Sequence, residues 1–111
     1  MEFKYDISII GGAGHVGFPL GLIFASKKLK VKLIDKNAYN LNLIKRGISP
    51  FKEDLASIFL KKYKKNLSYS EDIAEIKNSK FIIVCIGTPI TKKLNPDKRD
   101  FFNIFKKIKK N

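Results

Sequence analysis

Ile7-Ser8-Ile9-Ile10-Gly11-Gly12-Ala13-Gly14-His15-Val16-Gly17 is the stretch that decides the fold. An apolar run of strand character breaks into glycines spaced G-x-G-x-x-G at Gly12, Gly14 and Gly17, and an apolar helical segment follows. Val31-Lys32-Leu33-Ile34 then reads as a second strand, ended by Asp35, 23 residues after Gly12. Strand, glycine turn, helix, strand and terminal acid in that order are the fingerprint of a dinucleotide-binding βαβ unit. In such a unit Gly12 permits the tight turn, Gly14 clears space for a pyrophosphate and Gly17 lets the helix pack closely on the strand. The backbone N–H groups of Ala13, Gly14 and the residues after them, His15, Val16 and Gly17, should face the phosphates, helped by the positive end of the helix dipole. Asp35 should accept hydrogen bonds from the adenosine ribose hydroxyls and repel a 2′-phosphate, which favours NAD over NADP. Lys36 pulls the other way, as a cation able to approach a 2′-phosphate.

Outward from that stretch, helices and strands alternate. The first strand is expected over Tyr5–Ile10 and the helix after it over His15–Lys27, with Pro19 near its first turn and Leu20, Ile23 and Phe24 facing the sheet. Strand two is Lys30–Ile34. Asn37 should cap a second helix over Ala38–Lys45, which Gly47 stops. A turn over Ile48–Phe51 leads to an amphipathic helix, Glu53–Lys65, with the apolar stripe Leu55, Ile58, Phe59 and Tyr63. Leu67–Tyr69 reads as a short edge strand, and Ser70 as the cap of a short helix reaching Ile76. Phe81–Ile86 is a strongly apolar strand leading into Gly87-Thr88-Pro89, and Asp100 should cap a last helix, Phe101–Lys110. This alternation predicts the α/β class: a Rossmann-like, doubly wound parallel sheet, truncated to about four strands in the order 3-2-1-4. The glycine turn, Asp35 and Thr88 would then share the carboxyl ends of the strands, where such sheets hold ligands.

Composition narrows the function. The 111 residues suffice for one domain, read as a single partial NAD-binding unit over 1–111, without the second domain that most dinucleotide-dependent dehydrogenases use for substrate. The single cysteine, Cys85, allows no internal disulfide and fits a reducing, cytoplasmic setting. The net charge of +13 invites a nucleic-acid partner, but only Arg46 and Arg99 are arginines and the lysines are scattered, so a general lysine-rich composition is preferred. Ile7–Ser26 has 20 residues without formal charge, the length of a membrane span, yet five glycines, Pro19 and His15 interrupt it; no membrane segment is expected. His15 is a loop residue with no second histidine to pair with, and Cys85 a small hydrophobe inside a strand, so neither is taken as catalytic. No metal site is expected. Thr88, at the mouth of the fourth strand, is placed to touch the cofactor.

Gly11–Ser26, Val31–Asn37, Ile44–Leu55, Ser70–Ile90 and Leu94–Asp97 together resemble the N-terminal NAD-binding domain of the UDP-glucose/GDP-mannose (nucleotide-sugar) dehydrogenase family. The family's G-x-x-P-x-x-E-x-x-L stretch is matched by Gly47, Pro50, Glu53 and, one residue early, Leu55. Its (V/I)-x-T-P turn is matched by Ile86, Thr88 and Pro89, with Gly87 where many members carry proline. The resemblance implies NAD as cofactor, with Gly12, Ala13, Gly14, His15, Val16 and Gly17 on the pyrophosphate, Asp35 on the ribose and Thr88 on the nicotinamide side. It also implies a setting in polysaccharide biosynthesis and a family reaction, the NAD-dependent oxidation of the C6 alcohol of a UDP-sugar to the acid through a cysteine thioester. The family's catalytic lysine, asparagine and cysteine match no position here, and Cys85 does not inherit the last role.

The sequence therefore predicts the NAD-binding portion of a nucleotide-sugar dehydrogenase, not catalytic alone, with a nucleotide sugar as partner only when missing domains complete it. A stand-alone nucleotide-binding regulatory or interaction module is the alternative, and a basic nucleic-acid-binding protein a further one. An open sheet edge makes a homodimer or a split-chain partner an expectation as well.

Overall fold

The computed structural model describes residues 3–52 and 54–86, together with residues 106 and 108. Its elements are β1 (Tyr5–Ile10), α1 (Gly17–Ser26), β2 (Val31–Ile34), α2 (Ala38–Lys45), α3 (Asp54–Tyr63), a 3₁₀ turn (Lys64–Asn66), β3 (Leu67–Ser70), a second 3₁₀ helix (Ile73–Asn78) and β4 (Ser79–Val84). The four strands form one sheet in the order β3-β2-β1-β4, every pair parallel. Ile9 lies beside Leu33 on one side and Ile83 on the other, and Leu33 lies beside Tyr69, so one row crosses all four strands. The predicted fold class and strand order are thus the observed ones.

Both faces of the two central strands are covered, so every residue of Ile7–Ile10 and Val31–Ile34 is buried and burial does not alternate as in a half-wet strand. On one face Ile7, Ile9, Val31 and Leu33 pack with Phe18, Leu22 and Ala25 of α1 and Ala56 and Leu60 of α3. On the other, Ile10, Ile34 and Ile76 gather Ile73, Val84, Ile86 and Ile108. Two polar residues of the central strands are buried here. Ser8 bonds through its hydroxyl to that of Ser79, and the Lys32 ammonium donates to the Tyr5 hydroxyl at 3.2 Å. Burial alone would raise the Tyr5 pKa, but the Lys32 and Lys4 ammonium groups and hydrogen bonds from Lys32 and Ser68 outweigh it and hold that phenol below its usual range.

Several boundaries move for identifiable reasons. The first helix begins at Gly17 rather than His15, because Gly14 and Val16 carbonyls accept from Phe18 and Leu20 while His15 and Val16 remain in the turn. Its sheet-facing side is Phe18, Gly21, Leu22 and Ala25; Ile23 is 51% exposed, and Leu20 and Phe24 are only partly buried. It ends at Ser26 through Lys28, which adopts φ 67° without being glycine, and the Leu29 N–H closes back on the Phe24 carbonyl. The second helix matches its predicted span, with Asn37 accepting from the Asn40 N–H at 3.0 Å and Gly47 at φ 80° closing it.

In α3, Ala56 and Leu60 are buried whereas Leu55 and Ile58 lie on the exposed side, so the predicted stripe is rotated by about one position. Asp72, not Ser70, caps the following helix: its carboxylate accepts from Ala74, while Ser70 accepts from the Asp72 N–H. That helix is 3₁₀. The last strand starts at Ser79, two residues before the predicted Phe81, and Phe81 is 59% exposed because β4 stands outermost among the described strands. Lys106 and Ile108 are helical, within the predicted last helix; its other residues, the Asp100 cap, Glu53 and the segment Gly87–Arg99 lie outside the described residues.

Candidate functional site

Parallel strands deliver their connecting loops to one end of the sheet. The glycine turn follows β1, Asp35 follows β2, Glu71 and Asp72 follow β3, and Cys85 and Ile86 follow β4. The strand order reverses at β1, which has β2 on one side and β4 on the other, and this is where open α/β sheets leave a crevice. Thr88, assigned to the same end, lies outside the described residues.

The glycines of the turn are there for different reasons. Gly11 takes φ 83°, and a side chain on it would overlap the Cys85 carbonyl oxygen. A Cβ on Gly17 would overlap the Gly11 carbonyl oxygen, so the close approach at Gly17 is to the turn rather than to the strand. Helix and sheet meet instead at Gly21, where a Cβ would stand 2.7 Å from Leu33 Cδ2. Gly12 is pressed between the Ile9 carbonyl oxygen and Leu33, both 2.9 Å from the site of a Cβ. Gly14 differs: among the described residues the nearest atom to a Cβ there is the Gly11 carbonyl oxygen at 3.4 Å, and no other of them comes within 4 Å. Among the described residues, close contacts call for a glycine at 11, 12 and 17 but not at 14.

The donors of the turn also divide. Ala13 N–H is taken by Asp35 Oδ2 at 2.9 Å and Gly14 N–H by the Gly11 carbonyl at 3.1 Å. These two, expected to face phosphates, are committed to holding the turn. The N–H groups of His15, Val16 and Gly17 find no acceptor among the described residues, and they surround the start of α1. Three free donors and a helix dipole make an anion-binding end.

Asp35 is half-buried and works inside the protein. Besides Ala13, its Oδ1 accepts from the Asn37 N–H at 2.9 Å, so the acid ties the glycine turn to the cap of α2. A carboxylate has about four acceptor positions, and two remain for a pair of hydroxyls. Asn40, one turn into α2, donates to the Ala13 carbonyl at 3.1 Å, so the Ala13 residue is held at both its N–H and its C=O. Asp35 also lines a cavity of about 200 Å³ with Ile10, Ile34, Lys36, Glu71, Asp72 and Ile73. Three acidic residues and one lysine share its lining with three isoleucines.

His15 is exposed, and its ring lies over Phe51 with centroids 4.0 Å apart. Cys85 is half-buried, and burial raises its thiol pKa, which suits a packing role and not a thiolate nucleophile. Among the described residues no group of three His, Cys, Asp or Glu could hold a metal, and no helix is long and apolar enough to cross a membrane. Gly11, Asn40, Phe51, Glu71 and Asp72 escape a motif reading. Gly11 was visible as the first of a glycine pair, but the other four enter through tertiary placement.

Residues 5–111 match the profile of the UDP-glucose/GDP-mannose dehydrogenase family, NAD binding domain. The chain belongs to this family. NAD is therefore the cofactor of its domain type. Among solved structures, GDP-mannose dehydrogenase from Pseudomonas aeruginosa is similar at 26% identity and a TM-score of 0.82, over 88% of this chain and 23% of that one. UDP-D-ManNAc dehydrogenase from Pyrococcus horikoshii, at 23% identity and a TM-score of 0.82 over 91% of this chain and 24% of that one, shares the fold. An uncharacterized protein of Methanocaldococcus jannaschii is 34% identical over 105 residues, 94% of this chain and 12% of that protein. The family member described here thus spans about a quarter of those dehydrogenase chains and 12% of that relative.

Proposed function

We propose that this chain binds NAD at the carboxyl end of its sheet and is the cofactor-holding part of a nucleotide-sugar dehydrogenase, whose reaction oxidises the C6 alcohol of a UDP-sugar to the acid. The space beside Gly14, which none of the described residues fills, is the observation that carries this reading. The pyrophosphate lies across Gly14 and takes the N–H groups of His15, Val16 and Gly17, while Gly12 and Ala13 shape the turn behind it. Asp35 receives the ribose hydroxyls on its two remaining acceptor positions. The adenosine end enters the cavity beside it, where Ile10, Ile34 and Ile73 offer apolar surface. Glu71 and Asp72 add to Asp35 in repelling a 2′-phosphate, and they outnumber Lys36, so NAD is preferred over NADP. Thr88 keeps its assignment to the nicotinamide side on the family resemblance alone.

NAD supplies the hydride acceptor when bound; the chain's own residues bind and orient it. Hydride transfer further needs the sugar held against the nicotinamide. With no residue in 1–111 matching the family's catalytic lysine, asparagine or cysteine, we expect no turnover by this chain alone. A nucleotide sugar, and the cytoplasmic setting of polysaccharide biosynthesis, belong to the completed enzyme. Calorimetric titration of the 111-residue chain with NAD and NADP tests the proposal: NAD should bind, and more tightly than NADP. A folded chain that binds neither, or prefers NADP, refutes it. Reduction of NAD by the chain in the presence of a UDP-sugar would refute the absence of turnover.

A further inference from the structure

The loop between α2 and α3 is shaped to present one ring. Ser49 Oγ donates to the Phe51 carbonyl at 2.8 Å and accepts from the Phe51 N–H at 3.2 Å, a reciprocal bond that fixes the residue it flanks. Phe51 so held lies half-buried, 4.0 Å from the His15 ring at a 32° tilt and 6.2 Å from Phe18, both measured between centroids. Phe18, in the first turn of α1, is fully buried. A run of three rings therefore leads from the core, through Phe51, to the residue whose N–H is the first of the free donors. The turn it reaches is flanked by Gly14 and Gly17, residues that restrain the backbone least.

Accepting the NAD-binding role proposed above, we infer that Phe51 is a positioning residue for the pyrophosphate. Its ring pins that of His15 and so holds the His15, Val16 and Gly17 donors in their binding arrangement before the anion arrives. Preorganisation of this kind raises affinity without adding a contact to the ligand. The loop between α2 and α3, distant in sequence from the glycine motif, thereby becomes part of the cofactor site.

The test is a set of NAD titrations on the 111-residue chain and its F51L, F51Y, H15A and H15A/F51L variants, each checked for cooperative thermal unfolding. Stacked aromatic pairs predict a loss of about two- to tenfold in F51L. F51Y, which keeps the ring, should bind like the wild type. H15A, which keeps the backbone donor, should lose about the same factor as F51L, and F51L should cost nothing further in the H15A background. Full affinity in F51L or H15A overturns the inference, as does a loss in F51L that repeats unchanged on top of H15A, since a merely structural Phe51 would act in both backgrounds. If F51L does not fold, the H15A and F51Y titrations decide alone. Failure of the wild type to bind NAD would remove the proposed function itself, whereas normal wild-type binding with indifferent variants would remove only the role of Phe51.

Discussion

Replacing Gly14 and Gly17 in turn with alanine separates ligand from fold. At Gly14 the backbone has no positive φ and a Cβ meets nothing among the described residues closer than 3.4 Å, so G14A should fold and gain about 0.4–1 kcal/mol by restricting the unfolded chain. For a domain of this size that corresponds to a rise of roughly 2–8 °C in Tm. The same methyl occupies the space assigned to the pyrophosphate and lifts it off the three free N–H groups. A hydrogen bond to a charged group contributes about 1.5–3 kcal/mol, so losing one weakens NAD by about tenfold to a hundredfold, and losing several abolishes measurable binding. At Gly17 the new Cβ overlaps the Gly11 carbonyl oxygen, a backbone atom that cannot step aside, and strain of about 1–3 kcal/mol should lower Tm. Thermal unfolding with and without NAD reads both effects, because a ligand that binds only the folded state raises Tm by mass action. The expected pattern is a stable G14A whose Tm ignores NAD and a destabilised G17A. A G14A variant that keeps the NAD-induced rise, or that unfolds without NAD, would refute the division of the glycines into two kinds.

D35N removes one of two acceptors that serve the Ala13 and Asn37 N–H groups, and an unsatisfied donor costs about 1–3 kcal/mol, so urea denaturation should show a lower midpoint at an unchanged slope. Paired titrations of the same variant should show NADP gaining on NAD without overtaking it, since Glu71 and Asp72 remain; outright preference for NADP would mean those two acids contribute nothing. K28G relieves a left-handed lysine at the end of α1 and should stabilise the chain by about 1 kcal/mol, read as a higher urea midpoint; no gain would mean that Lys28 is not strained there. Tyr69 carries a buried hydroxyl with no partner among the described residues, and burial pushes its pKa up to about 12. Its proton leaves the unfolded chain near pH 10 but the folded chain only near pH 12, so this residue's contribution to stability falls as pH rises through that window. Y69F should therefore be at least as stable as the wild type at neutral pH and should lose less stability between pH 10 and 12, followed by urea midpoints across the range.

The sheet was legible because its determinants are local. Mostly apolar runs at Ile7–Ile10 and Val31–Ile34, with Ser8 and Lys32 the exceptions, suit strands buried on both sides, and glycine spacing with a terminal acid orders the first three elements. Asn37 and Gly47 bound α2 through bonds to residues within a turn or so, which is why that helix was read to the residue. What escaped depends on partners far along the chain. Leu55 and Ile58 look as apolar as Ala56 and Leu60, and only the angle at which α3 meets α1 and the sheet decides which pair is covered. The start of β4 at Ser79 depends on Ser79 pairing with Tyr5, 74 positions earlier, which apolarity does not encode. In the candidate site, spacing singled out Gly14 and Asp35 but not which N–H groups the turn itself uses, because Ala13 and Gly14 N–H groups find their acceptors only once the turn is folded.

Asp35 stands at the join of two jobs, and that limits how the chain can change. The carboxylate that would choose the cofactor is also the post to which the glycine turn and the α2 cap are tied. A variant that trades it for a neutral residue to admit a 2′-phosphate loosens the turn meant to hold the neighbouring pyrophosphate. On the proposed function, cofactor preference in this chain is therefore not a one-residue trait. A switch would have to come with a second change that satisfies the Ala13 N–H, in the place where Asn40 already bonds the carbonyl of the same residue.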